Sequence, residues 1–442
     1  MRKVFRKLHL WLSVPFGIVV AVICFTGALL VFEDEITSLY YSGVSTVEPQ
    51  REVLPLGVIV EKVEQGLSSG TEVTGVVVSS SPCEAYKVNL SKPRRAALYV
   101  NQYTGEVQGD YRRLGFFSGV LRLHRWLMDT KPDDGGIYWG KIAVGASALV
   151  FVVLLLTGLV LWLPRNRKMF KNRLKVVFSK GKNRLWYDLH VAGGFYAALL
   201  LLVMALTGLT WSFGWYSNSF YSLFLSSESD VSIVTQLPDA TTGATTVSHN
   251  RAAQATLVSE NDAVSAATFL AAQSDGSTGA TVKADGVSGA TTANNGADGS
   301  TGATVKADGV SGATAVANYS AAGKYGSWSK ALEAVAALCP DFAEITVSAG
   351  SVSVKYDGWG NSRASDKYNF DESVGTLLSV QEYAGTTEKS RVRGWVYSLH
   401  TGSWGGVVVK LLYFLAALLG TALPLTGYYF WIKRLYGKRK QK

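Results

Sequence analysis

The sequence predicts a membrane α-helical protein. It has four transmembrane helices built as a duplicated two-helix unit, two small extracytoplasmic α+β modules and a low-complexity linker. Three observations predict it. Four apolar runs are each long enough to cross a hydrocarbon core of about 30 Å. Lys and Arg gather in short blocks between and after these runs, the bias that sets topology. Four of the five His stand at the starts of the four runs, on alternate faces.

Residues 1–32 hold a basic N-terminus (Arg2, Lys3, Arg6, Lys7) and the first span, 8–32. That run is too long for the apolar part of a signal peptide, and no A-x-A site follows it. Residues 33–140 form the first module. It begins with an acidic stub, Glu33–Glu35, followed by a helix over 56–67 and strands over 72–78, 85–90 and 96–103 that turn at Thr104-Gly105. The second span is 141–163. Residues 164–185 are a basic loop, with nine Lys or Arg and no acid between Arg165 and Arg184. The third span is 186–213 and the linker is 214–323. The second module is 324–404, with a helix over 330–338 and strands over 343–348, 351–356, 367–370 and 377–382. Residues 405–442 hold the fourth span, 407–432, and a tail with six more basic residues.

The basic loop and tail belong in the cytoplasm with the N-terminus, which puts both modules and the linker outside. These blocks account for most of the +10 net charge, so nucleic-acid binding is not expected. Of three Cys none forms a C-x-x-C, which leaves zinc ribbons, iron–sulfur cages and c-type haem attachment unsupported. Cys24 falls inside the first span. Cys83 and Cys339 both fall outside, where a disulfide is permitted but not required. No G-x-G-x-x-G follows a strand, so the chain is not expected to oxidise NAD(P)H itself.

His9 and His190 start the first and third spans, at the cytoplasmic face. His124 and His400 precede the second and fourth, at the outer face. His9 and His190 each stand eighteen residues before the Gly of a Thr-Gly pair, Thr26-Gly27 and Thr207-Gly208. The other two spans carry Thr157-Gly158 and Thr426-Gly427. The repeat sets His9 against His190 and His124 against His400. Two imidazoles on facing helices can hold a haem between them, and filled axial positions suit electron transfer rather than O₂ binding. Two haems b at opposite faces would form a wire, with these four His as iron ligands. Gly193, Gly194, Gly402, Gly405 and Gly406 would leave room for the ring, and Arg122, Arg125, Arg391 and Arg393 would meet propionates or phosphates. Lys141 and Lys410 read as snorkelling side chains. His249, alone in the linker, reads as a surface residue.

The linker is rich in Gly, Ala, Ser and Thr and reads as largely disordered, with one helix candidate over 262–273. Its segment 275–291 returns as 298–314, a period of 23 residues. Within it D-x-x-[ST]-G-A-T occurs five times, ending on Thr245, Thr281, Thr291, Thr304 and Thr314. The repeat is too short and polar to stack as a solenoid. It is either a linker lengthened by duplication or a modification site, since Gly and Ala leave the last hydroxyl open to an enzyme. The heptad resembles the acceptor sequence of bacterial flavin transferases, which move FMN from FAD onto that Thr as a phosphoester. The resemblance implies up to five covalent FMN groups and a flavin transferase as partner.

Residues 1–225 and 324–440 resemble the PepSY-associated transmembrane family, through K-L-H-L-W at Lys7–Trp11 and L-T-G-L-x-L-W-L-P-R at Leu156–Arg165. That family includes siderophore-iron reductases of the bacterial inner membrane, and its His are taken as haem ligands. The resemblance implies PepSY-like outer modules and an inner-membrane location. The expectation is an electron-transfer flavohaemoprotein. Its donor would be a membrane quinol or cytoplasmic reductant, and its acceptor an extracytoplasmic redox protein or a ferric siderophore. Two alternatives stand beside it: a ferric-siderophore reductase acting directly from the outer haem, and a non-redox PepSY sensor of an envelope protease.

Overall fold

The structure is a computed structural model of the chain, and it describes residues 2–164, 166–225, 231–237, 255–259 and 323–439. The first span is α1 (Arg2–Val31). A short helix, α2 (Glu33–Ser45), leads from it to α3 (Leu56–Gln65) and four strands: β1 (Val73–Ser79), β2 (Tyr86–Leu90), β3 (Ala97–Val100) and β4 (Val107–Tyr111). Then come α4 (Gly115–Trp126), the second span α5 (Trp139–Trp162) and a small helix α6 (Arg167–Arg173). The third span is broken. It runs as α7 (Lys182–Asp188), a π-helical turn over Leu189–Gly193, and α8 (Gly194–Leu209). After α9 (Gly214–Ser222) come β5 (Val231–Gln236) and β6 (Ala255–Ser259). The last part holds α10 (Gly326–Leu338), β7 (Glu344–Ser348), β8 (Ser351–Lys355), β9 (Asp366–Phe370), β10 (Leu377–Gln381), α11 (Glu388–Thr401) and the fourth span α12 (Gly406–Arg439). Among the described residues, four helical stretches are long and apolar enough to cross a membrane.

The two meanders do not stand apart. All ten strands form one antiparallel sheet in the order β4-β3-β2-β1-β7-β8-β9-β10-β5-β6. The join is β1 against β7, with Val76 opposite Val347. One face of the sheet is covered by two helices. On α3, Leu56, Ile59, Val60 and Val63 are buried at helical spacing. On α10, Trp328, Ala331 and Val335 meet them. Gly57 lets the helices close up, because a Cβ there would sit 2.8 Å from the Tyr325 carbonyl oxygen. Its amide donates to Ser329 Oγ at 2.9 Å. Val76, Val88, Ile345, Val347, Val352 and Val354 alternate along the strands and fill one core shared by both halves.

Several expectations change. The turn at Thr104-Gly105 is followed by a further strand, β4, paired to β3. The linker's first part supplies β5 and β6, which extend the sheet instead of lying free; the β-branched residues Val231, Ile233, Val234 and Thr235 favour this. The acidic stub is the first turn of α2, and its charges are used. Arg113 makes a two-pronged pair with Glu33, at 2.6 and 2.5 Å. Lys410 pairs with Glu35 at 2.7 Å and so does not snorkel freely. Cys339 is buried against the Tyr368 hydroxyl at 3.2 Å while Cys83 is exposed, and both are free. The helix candidate over 262–273 and His249 lie outside the described residues.

In the bundle, α1, α5, α8 and α12 share a core of Val20, Cys24, Phe151, Leu154, Leu201 and Ala416. Small residues set the spacing there: a Cβ on Gly420 would lie 2.9 Å from Cys24 Sγ. Both long connections end in the one sheet, so the bundle has a sheet side and a far side.

Candidate functional site

At the far side, His9 on α1 faces His190 in the π-helical turn, with ring centroids 6.5 Å apart and planes at 88°. At the sheet side, His124 on α4 faces His400 on α11, at 6.2 Å and 58°. The pairs expected from the sequence are the pairs the fold brings together. His190 owes its position to the π-helical turn, a wide turn that often marks a functional position in a helix. The two pairs stand well apart. On α1 seventeen residues separate His9 from Thr26, the partner of His124, a rise of about 25 Å.

All four rings are held in one way. Nδ1 of His9 meets Thr157 Oγ1 at 2.9 Å. Nδ1 of His190 meets Thr426 Oγ1 at 2.8 Å. Nδ1 of His124 meets Thr26 Oγ1 at 3.0 Å. Nδ1 of His400 meets Thr207 Oγ1 at 3.2 Å. Each Thr hydroxyl donates its own hydrogen to a carbonyl one turn back: Val22 at 2.7 Å, Val153 at 2.8 Å, Val203 at 2.6 Å and Ala422 at 2.9 Å. The Thr oxygen is left as an acceptor, so Nδ1 must carry the proton. Carbonyls beside the same Nδ1 confirm the sense: Ile23 at 3.0 Å, Leu423 at 3.2 Å and Met204 at 2.9 Å. Each Nε2 therefore keeps its lone pair, and it makes no hydrogen bond among the described residues.

The sequence marked the Thr-Gly pairs only as a repeat. Their role is now visible: Thr fixes the ring and Gly gives it space. A Cβ on Gly208 would lie 3.0 Å from His400 Cε1, and on Gly27 it would lie 3.2 Å from His124 Cε1. At Gly158 and Gly427 the distances to His9 and His190 are 3.5 and 3.8 Å. The glycines singled out from the sequence do other work. Gly193 and Gly194 abut Leu419 and Leu423 of α12, Gly402 ends α11 with φ 75° against Tyr413, and Gly405 sits against Val409. A Cβ on Gly406 would meet nothing within 4 Å.

The donor set can be tested against a haem. An imidazole nitrogen binds a first-row metal at about 2 Å and lies about 1.1 Å from its ring centre, so two rings across one iron have centres about 6.3 Å apart. The observed 6.2 and 6.5 Å fit that span. Among the described residues no group of three or more His, Cys, Asp or Glu could hold an ion. A bare pair of opposed imidazoles suits an iron whose other positions come from a macrocycle. Outside the four spans, burial pushes His124 down to about 4 and His400 to about 3, and the Arg125 guanidinium adds to both shifts. Both rings thus stay neutral and fit to ligate. Trp211 packs its edge on His400 at 5.1 Å.

Of the four expected Arg, Arg391 donates to the Ala384 carbonyl at 3.2 Å and Arg393 lies 5.8 Å from the Tyr221 ring centre. Arg122 donates to the Met128 carbonyl at 3.3 Å and Arg125 stacks on Trp126 at 4.8 Å. Thr245, Thr281, Thr291, Thr304 and Thr314 lie outside the described residues.

Four apolar spans with an antiparallel sheet at one end define an integral membrane protein. The chain belongs to the PepSY_TM family, the PepSY-associated TM region, whose pattern covers residues 6–434. No curated protein matches it.

Proposed function

We propose that this protein carries electrons across the bacterial inner membrane through two bis-His haems b. It passes them to FMN held covalently on Thr245, Thr281, Thr291, Thr304 and Thr314, and from there to an extracytoplasmic acceptor. The observation that carries the reading is the fourfold contact in which a Thr with a spent hydrogen fixes Nδ1 and leaves Nε2 its lone pair, in rings whose centres stand 6.5 and 6.2 Å from a second imidazole. Haem held between His9 and His190 and between His124 and His400 would supply one-electron chemistry.

The chain's own part is positional. Thr26, Thr157, Thr207 and Thr426 lock ring tautomer and direction, an outer-shell role that raises ligand basicity. Leu154, Leu201 and Ala416 keep water from the stretch between the pairs. The basic loop 164–185 and the basic tail support a cytoplasmic far side, where a quinol or soluble reductant would donate. The five heptads support a flavin transferase as maturation partner, and a row of flavins raises the local concentration of carriers near an acceptor.

The test of the flavin half is an intact-mass spectrum after coexpression with a flavin transferase. The reading expects a ladder of up to five FMN additions, each step lost as one of the five Thr becomes Ala. A single unmodified mass, with the transferase active on a control substrate, would remove FMN from the account.

A further inference from the structure

A cavity of about 370 Å³ lies at the end of the β1–β7 seam, where the two halves of the sheet meet. The start of α3, the end of β1, the turn after β3 and one face of α10 line it. Its volume falls inside the usual range for small-molecule clefts, about 300–1,000 Å³. The most buried polar residue of its lining is Gln102, 2% exposed. Gln102 Nε2 donates to the Pro82 carbonyl at 3.1 Å, and the Tyr103 hydroxyl donates to the same oxygen at 3.0 Å. A carbonyl oxygen takes only donors, so the other head atom of Gln102 is its amide oxygen. That Oε1 is buried and makes no hydrogen bond among the described residues. A buried acceptor without a donor is costly, so this atom is placed for a donor from outside the chain.

The rest of the lining sets the character of that donor. No Lys or Arg lines the cavity, and its one charged residue is Glu333 on α10. Glu333 is exposed and makes no ion pair among the described residues. Tyr86 and Tyr103 are buried in the wall, and Phe342 adds a third ring. Burial, with Tyr103 beside it, pushes the Tyr86 phenol up to about 12, so it stays neutral. Leu54, Val78 and Leu332 make the remaining wall apolar. An ammonium group has three donors and no acceptor, and it is drawn both to a carboxylate and to the faces of aromatic rings. We propose that this cavity binds a small organic ammonium compound with an apolar body, whose N–H meets Gln102 Oε1 and whose charge is balanced by Glu333. The site is independent of the histidine pairs and of the flavin heptads.

The test uses the full chain in phosphatidylcholine nanodiscs and equilibrium dialysis, with empty discs subtracted. The ligands are phenethylamine, phenylethanol and phenylacetate, which share one ring and differ in charge. Phenethylamine is expected to bind at least about tenfold tighter than the alcohol, since hydrogen bonds to charged groups are stronger than neutral ones. Phenylacetate is expected not to bind. Gln102→Leu keeps the size and removes the acceptor, and it should weaken phenethylamine about tenfold. Pro82 keeps the Tyr103 hydroxyl in that variant. Glu333→Gln changes an exposed position and should weaken phenethylamine about two- to fivefold while leaving phenylethanol unchanged. Should Gln102→Leu fail to fold, the three ligands and Glu333→Gln still decide. Equal affinity for the amine and the alcohol, or amine affinity indifferent to the substitutions, overturns the proposal. So does the absence of phenethylamine binding, which would leave Gln102 to an ordered water only. No outcome depends on haem or FMN, so failure here leaves the electron-transfer reading standing, and the reverse holds too.

Discussion

The two histidine pairs share the Thr contact at every Nδ1 and differ in their setting. At the far side both rings ride on the spans themselves, His9 on α1 and His190 in the π-helical turn of the third span. At the sheet side both ride on short separate helices, α4 and α11, that are tied to the sheet. The outer rings are also packed more tightly, with Gly208 and Gly27 closer to them than Gly427 and Gly158 are to the inner rings. Trp211 packs against His400 of the sheet-side pair. The far-side pair is fixed by the bundle. The sheet-side pair is carried on helices that continue from the sheet.

The largest effect should come from the rings. His190→Ala is expected to remove the inner haem and spare the outer one, and His400→Ala the reverse. Each would halve the b-type absorbance of the purified protein. Loss of both haems from either change would break the independence that the 25 Å rise implies, roughly a bilayer core apart.

Glycine substitutions sharpen the contrast in packing. Gly208→Ala places a Cβ 3.0 Å from His400 Cε1, while Gly427→Ala leaves 3.8 Å at His190. The first should shift the spectrum of the outer haem and lower its occupancy, and the second should be close to silent. Equal effects would mean that the outer rings move freely. Thr207→Val and Thr426→Val come next. Each removes an Nδ1 acceptor, and outer-shell losses of this kind cost about 10–100-fold in metal affinity. The Met204 carbonyl at 2.9 Å should cushion the outer loss more than the Leu423 carbonyl at 3.2 Å cushions the inner one.

Smaller effects belong to the links between bundle and sheet. Glu35→Gln breaks the pair with Lys410, whose side chain is only 13% exposed. Partial burial lifts the expected cost to about 1 kcal/mol or slightly more. Thermal melting should show it, and only the outer haem signal should follow. Lys87 offers a control confined to the sheet. Burial pushes its ammonium down to about 8, against an ordinary value of 10.5. Between those values the unfolded chain holds a proton that the folded chain has lost. Stability of the sheet should thus rise from pH 8 to pH 10, and Lys87→Met should flatten that slope without touching either pair.

Much of this was legible in the chain because its signals are local. Apolar length placed the four spans within a few residues, and alternation placed β7 and β8 within one. The match of His9 to His190, each followed by Thr-Gly, points to facing pairs from the sequence alone. What stayed hidden depends on distance along the chain. The β1–β7 join brings Val76 to Val347, and no local pattern announces it. Strand β4, Val-Gln-Gly-Asp-Tyr, has too few apolar residues to show alternation. The Thr-Gly repeat was visible, yet its use was not. Only the fold shows that Thr157 on α5 reaches His9 on α1, and that Gly193 and Gly194 serve α12 instead of a ring.

The central claim is that each histidine pair holds one haem. The most direct measurement is the haem-to-protein ratio of the purified full chain, read with its reduced-minus-oxidised spectrum after expression with ample haem. The account predicts two low-spin b-type haems per chain, resolved as two components in a redox titration. A ratio of zero, or a single haem that survives in both His9→Ala and His124→Ala, would contradict it.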